Sequence, residues 1–286
     1  MNRSILVNQV IDYILQHMDE DLTLSTLAAQ CFVSKYYLAH MFKEETGEAL
    51  YSFIKRCRID QSAVDLKLQP TKTITDIGLD YGYSASNFSS VFKNRHAVPP
   101  SCFRKNLPSH SIPIPFSPEK IIHFQTAEEY AAAIEIKEFE DQYIIYERFI
   151  GSYLYIEENW YRFIDAHKAP LKTSAFLIER FYNDPTISSP SNCICDLCMV
   201  VDPADALEGL ACIKGGKRAV YHYTGEIKNI FEAMQGVFTI WLPQSGYTMT
   251  RHYGLNIYHR INRSHHSVVM DFMYPHRIAR IQKSAR

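Results

Sequence analysis

Ten side chains in the first 110 residues have the types and spacing to do joint chemistry: Lys35, Tyr36, Ala39, His40 and Lys43, then Ser86, Asn87, Ser89, Ser90 and Lys93. Within each set the spacing places all five on one face of a helix. Serine, asparagine, tyrosine and histidine carry hydrogen-bonding groups that suit base edges in a major groove, and a lysine at the end of each set reaches a phosphate. The stretch GYSASNFSSVFKN, with serine where bulk would pack, is made to touch something polar. The plain alternative is a helix face that only meets water. Other clusters point to less. In CICDLC, Cys193 and Cys195 fall on one face of a strand and Cys198 on the other, and no paired CxxC accompanies them, so they read as structural thiols rather than a metal site. His265 and His266 in RSHHS read as part of a polar hairpin. No residue set calls for a metal, a cofactor or a catalytic centre.

The elements that must position the two sets follow from an internal repeat. Shifted by 50, Thr23 falls on Thr73, Leu27 on Ile77, Ala28 on Gly78, Ser34 on Ser84, Phe42 on Phe92, Lys43 on Lys93 and Phe53 on Phe103. Each copy predicts a short helix capped by its threonine, a tight turn, and a second helix capped by its serine. Ala28 and Gly78 stand where the first helix must approach the second closely, while Leu38 with Phe42, and Phe88 with Phe92, face the core at i, i+4. That is a helix-turn-helix, twice. Between the copies Ile54, Cys57, Gln61, Val64 and Leu68 keep helical spacing until Pro70. The linking helix they predict, about 18 residues and about 27 Å long, is of the order of the roughly 34 Å between successive major grooves on one face of DNA.

Charge alone would not have suggested DNA. The 286 residues carry 30 Lys and Arg against 31 Asp and Glu, and the part up to His110 carries 12 against 11. A hydrophobic content of 47% with 21% charged residues excludes a disordered chain. Neither a signal peptide nor a membrane span is visible, and seven scattered cysteines suit a reducing compartment, so a cytoplasmic location is expected.

Pro108, Pro113, Pro115 and Pro118 forbid a continuous helix and predict an extended linker. Downstream the pattern turns to β-type runs such as DQYIIYERFIGSYLYI. A looser repeat, at an offset of 74, sets Gly151 on Gly225, Ile156 on Ile230 and Ile164 on Phe238, each copy an amphipathic helix after a strand. Two strand-helix-strand units of this kind generate a cleft. The predicted organisation is an all-α double helix-turn-helix domain over 1–107, a proline-rich linker and lead-in over 108–131, and an α+β domain over 132–286.

SKYYLAHMFKEETG and GYSASNFSSVFKNRHAVPPSCFRK resemble the DNA-binding domain of the AraC/XylS family, with Phe92, Lys93, Pro100, Phe103 and Arg104 carrying its terminal signature. The family's usual glycine is present as Gly47 but is Ala97 in the second copy, and Ser90 stands where the family often has arginine. NDPTISSP, IKGGKRAVYHYTG, WLPQSGY and YGLNIYHRI resemble the GyrI-like effector-binding domain of Rob-type regulators and multidrug-sensing transcription factors. The resemblance implies a transcription regulator that binds double-stranded DNA in two adjacent major grooves, works with RNA polymerase, and responds to a small molecule. It implies an aromatic cleft, for which Tyr153, Trp160, Trp241 and Tyr258 are the candidates. It also implies a buried glutamate that pairs with cationic ligands, yet the aligned position holds Asn256. An amide lacks the charge that offsets burying a cation, so a neutral ligand is expected. Its presence also removes the obvious acid for the hydrolase activity that some GyrI-like proteins possess. The alternative for the second domain is a protein-docking module without a ligand.

Overall fold

The structure, a computed structural model, describes residues 3–107, 111–114, 117–167, 176–205, 210–249, 254–262 and 264–278. The chain divides into two compact units, Met1–Leu107 and Pro108–Arg286.

The first unit is helical. An entry helix α1 (Arg3–Gln16) precedes the first pair, α2 (Leu24–Gln30) and α3 (Lys35–Thr46). Then come α4 (Leu50–Leu68), the second pair α5 (Ile74–Asp80) and α6 (Ala85–His96), and a closing helix α7 (Pro100–Lys105). The four predicted caps are in place: Thr23, Ser34, Thr73 and Ser84 each accept from the backbone N–H three residues on, which satisfies a donor the helix start leaves unpaired. α3 ends at Gly47 with φ 72°, and α6 ends at Ala97 with φ 64°, so the second copy keeps the left-handed cap although its residue has a Cβ. A Cβ built on Gly78 would stand 2.9 Å from the Phe88 ring, which is why α5 carries glycine there. The smaller pair Ala28 and Leu38 occupies the same places in the first copy. The 19-residue α4 runs between the pairs and is buried along most of its length. Its Asp60, 1% exposed, receives both arms of Arg95 from α6 at 2.8 and 2.9 Å, and its Asp65 accepts from Tyr81 at 2.8 Å. These bonds fix the second pair to the connecting helix.

The second unit opens with the hairpin β1 (Ser111–Ile114) and β2 (Ser117–His123), then α8 (Ala127–Ala133), β3 (Ile134–Phe139), β4 (Gln142–Ile150) and α9 (Ile156–Ala166). After these follow β5 (Leu177–Phe181), β6 (Ile194–Val200), β7 (Ala211–Ile213), β8 (Gly216–Glu226), α10 (Ile230–Gly236), β9 (Tyr247–Met249), β10 (Gly254–Asn262) and β11 (Ser267–Ile278). The segment expected to be an extended linker is folded instead. Prolines remove ladder donors without excluding a short edge hairpin, and Ile112 and Ile122 pack with Phe231 of α10.

The antiparallel sheet has the order β3-β8-β11-β10-β5-β6-β4-β7, with β9 joined to the end of β11. Both predicted strand-helix-strand units are present, β4-α9-β5 and β8-α10-β10, and β5 and β10 meet at the middle of the sheet. One face packs Ile145, Leu197 and Met199 against Trp160 and Phe163 of α9. The other buries Ile144, Ile178, Cys198 and Leu255. On that second face Asp196 is fully buried, held by Arg148 at 2.7 and 2.8 Å, by Arg180 at 2.8 Å and by Tyr182 at 2.8 Å. Burial alone would raise its pKa; the two guanidinium groups outweigh burial and hold the carboxyl below its ordinary value.

Candidate functional site

The first unit presents its two second helices with their polar sides free. On α3, Leu38, Met41 and Phe42 turn inward, whereas Lys35, Tyr36, His40 and Lys43 are exposed and Ala39 is half-buried. On α6, Phe88 and Phe92 turn inward and Ser86, Asn87, Ser89, Ser90 and Lys93 are exposed. All ten residues singled out by spacing therefore share the outward faces of the two helices. The faces are not equal. Tyr36 is 83% exposed with its ring stacked 6.2 Å from the His40 ring, and His40 Nε2 lies 3.2 Å from Glu44. The Ser90 hydroxyl donates back to the Ser86 carbonyl at 3.2 Å, which occupies its hydrogen in the helix itself.

In the second unit a cavity of about 450 Å³ lies between the sheet and the two helices. α9 contributes Ile156, Trp160 and Ile164; α10 contributes Phe231 and Met234; the central strands contribute Glu179, Asn256 and Tyr258. The size and the mainly apolar wall match a drug-sized ligand. Tyr153, Trp160, Asn256 and Tyr258 line it as expected. Trp241 does not. It sits 6% exposed in the π-helical stretch Val237–Trp241 that continues α10, with its ring 6.0 Å from Tyr247, and is part of the core. The extra residue in each π-turn rotates this side chain away from the cavity wall.

The floor of the cavity corrects a second expectation. Glu179, directly opposite Asn256 in the β5–β10 ladder, is 3% exposed and points into the cavity. It accepts from Tyr258 Oη at 2.8 Å and from Asn256 Nδ2 at 3.2 Å. The cleft therefore has a carboxyl after all, moved one strand across from the place where the resemblance puts it. Burial pushes its pKa up, and the hydrogen bonds from Tyr258 and Asn256 pull it partly back. Asn256 Oδ1 and Tyr153 Oη are buried with no hydrogen-bond partner among the described residues. The exposed Glu157, Lys228 and Arg260 stand at the rim. Leu177, Glu179 and Phe181 alternate on one face of β5, and a lone acid in such an apolar row is the sequence signal that reasoning by resemblance passed over.

Comparison with known proteins bears on both sites. Residues 27–106 match a helix-turn-helix domain, and residues 132–277 match the GyrI-like small molecule binding domain. The right origin-binding protein of Escherichia coli K12 is 33% identical over 107 residues, 37% of this chain and 37% of that protein. The transcriptional regulator Rob of Salmonella typhimurium is 32% identical over the same length, again 37% of each. The chain thus matches little more than a third of the length of these relatives. Among solved structures, the C-terminal domain of AraT, a response regulator from Geobacillus stearothermophilus, is 31% identical over 35% of this chain and 84% of that one, with a TM-score of 0.34.

Proposed function

Since the chain belongs to the GyrI-like small molecule binding family and carries a helix-turn-helix domain ahead of that module, we propose that it is a sequence-specific transcription regulator whose second unit senses an amphipathic small molecule. In this reading α3 and α6 enter two adjacent major grooves of double-stranded DNA, Tyr36, Ala39 and His40 read bases, and Ser86, Asn87, Ser89 and Ser90 make the shorter polar contacts. Lys35, Lys43 and Lys93 hold phosphates. RNA polymerase is the partner through which such binding changes transcription.

The observation that carries the sensing half is the pairing of a buried acid with an acceptor that has no partner among the described residues: Glu179 and Asn256 Oδ1 at the floor of an apolar cavity. Two acceptors side by side favour a ligand that brings N–H donors or a positive charge, which supports an amine or other cation over the neutral molecule that Asn256 alone suggested. Trp160, Tyr153 and Tyr258 supply the aromatic wall. Calorimetry of the full chain and its Glu179→Gln variant against lipophilic amines and their neutral isosteres tests this. Binding of the amines by the wild type and a loss of about tenfold or more in the variant support it; no binding of either class overturns it in favour of a docking module. Mass spectrometry of the bound amine after incubation separates sensing from hydrolysis, since a sensor returns its ligand unchanged. Selection of bound sequences from random DNA tests the other half.

A further inference from the structure

The turns of the two helix-turn-helix units are built alike. In the first, Phe32 N–H donates to Ala29 and Val33 N–H to Ala28; in the second, Gly82 N–H donates to Leu79 and Tyr83 N–H to Gly78, with the two sets of bonds 50 residues apart. The turn requires one residue in the left-handed region. The second unit uses Gly82 there, with φ 76°, but the first uses Phe32, with φ 56°. A phenylalanine in that region is a steric outlier. Its ring is 96% exposed, so packing within the unit returns nothing. Both features are unfavourable in the isolated protein, and both place the ring outside, two residues before Ser34, the cap of α3. Tyr36, 83% exposed, and Tyr37, 42% exposed, follow in the first turn of that helix. With 12 basic against 11 acidic residues up to His110, the net charge of the unit draws it to DNA only weakly.

We infer that Phe32 is a DNA-contacting residue of the first unit, its ring set against an apolar edge of the duplex, a thymine methyl or a deoxyribose, beside the groove that α3 enters. The inference rests on the DNA-binding reading above. The contact adds apolar area where the base-reading residues are few, and thymine is the base that offers a methyl in the major groove.

The test uses the full chain and the best sequence selected from random DNA. Phe32→Gly and Phe32→Asn, both at ease in the left-handed region, should keep or raise the thermal midpoint while weakening binding by about tenfold, a loss of about 1.4 kcal/mol. The dependence of affinity on salt should not change, because no phosphate contact is lost. Phe32→Tyr should bind as the wild type does. Replacing each thymine of the site in turn by uracil identifies the edge: a loss in the wild type that is absent in Phe32→Gly marks a methyl, and no such loss at any position marks a sugar. Phe32→Gly binding as tightly as the wild type overturns the inference and leaves the DNA-binding reading intact. A lowered midpoint in that variant also overturns it, by showing that the ring packs within the protein. A wild type that selects no sequence sinks both.

Discussion

At His40 and Glu179 the same principle sets the behaviour: a polar side chain acts through what its neighbours leave it to do. His40 stacks on Tyr36 and meets Glu44, and both contacts steer its ring along the outer face of α3. His40→Ala should cost about 1–3 kcal/mol on the best site and relax preference at one or two base pairs, read by repeating the selection with the variant. Neutralising Lys43 or Lys93 should instead weaken binding to all DNA alike and reduce the slope of log affinity against log salt by about 0.9. An unchanged slope would place that lysine off the DNA. Glu179 governs a different response. Its folded pKa lies above its unfolded value, so its contribution to stability is fully present below about pH 4.3, the ordinary glutamate value, and is lost as pH rises through the raised value. Glu179→Gln should therefore make the unliganded protein less sensitive to rising pH above that point. Thermal midpoints of both proteins across pH 4 to 8 measure this, and parallel curves would contradict the burial of a titrating carboxyl. Asp196 has the opposite sign, stabilising at neutral pH and losing that effect only as acid reaches its lowered pKa.

Whole elements pack by complementary sizes. α5 approaches α6 through Gly78 and the large Phe88, whereas α2 and α3 hold the smaller difference of Ala28 and Leu38. Gly78→Ala puts a Cβ against the Phe88 ring and should destabilise the second pair by about 1–3 kcal/mol. Adding Phe88→Leu recreates the first copy's pair and should recover part of that loss, giving a coupling energy of opposite sign in a double-mutant cycle by chemical denaturation. Strictly additive losses would mean that the two residues do not share the contact. In the second unit β5 and β10 join the two strand-helix-strand halves, and their pairing sets Glu179 beside Asn256. Register thus composes the cavity floor, since a slip of either strand by one residue would turn its own side chain to the opposite face and separate the pair.

For the molecule as a whole, regulation requires that effector and DNA affect one another's affinity. Thermodynamic linkage makes the effect reciprocal: whatever factor a saturating amine changes in the affinity for the selected DNA, that DNA must change in the affinity for the amine. Fluorescence titrations of each ligand with and without the other should give equal factors different from one. A factor of one in both directions would mean that the second unit binds its ligand without controlling the first.

The sequence by itself determined the two helix pairs of the first unit and the helix between them, though not the entry helix α1 or the closing helix α7. Caps, apolar spacing and the 50-residue repeat are local signals, and the same periodicity that buries Leu38 and Phe92 exposes the nine polar residues opposite. It also determined the strand-helix-strand order of the second unit and four of the cavity residues. Tertiary structure alone decided the rest. Strand pairing set Glu179 opposite Asn256 from 77 residues away, a neighbour that no local pattern encodes. The π-helical stretch after α10 rotated Trp241 into the core, because one residue more per turn shifts every later side chain around the axis. Phe32 is one of 16 phenylalanines in the sequence, and only its backbone angle and its exposure together set it apart. A sequence shows which side chains a protein has. Only the fold shows which of them it leaves without a partner.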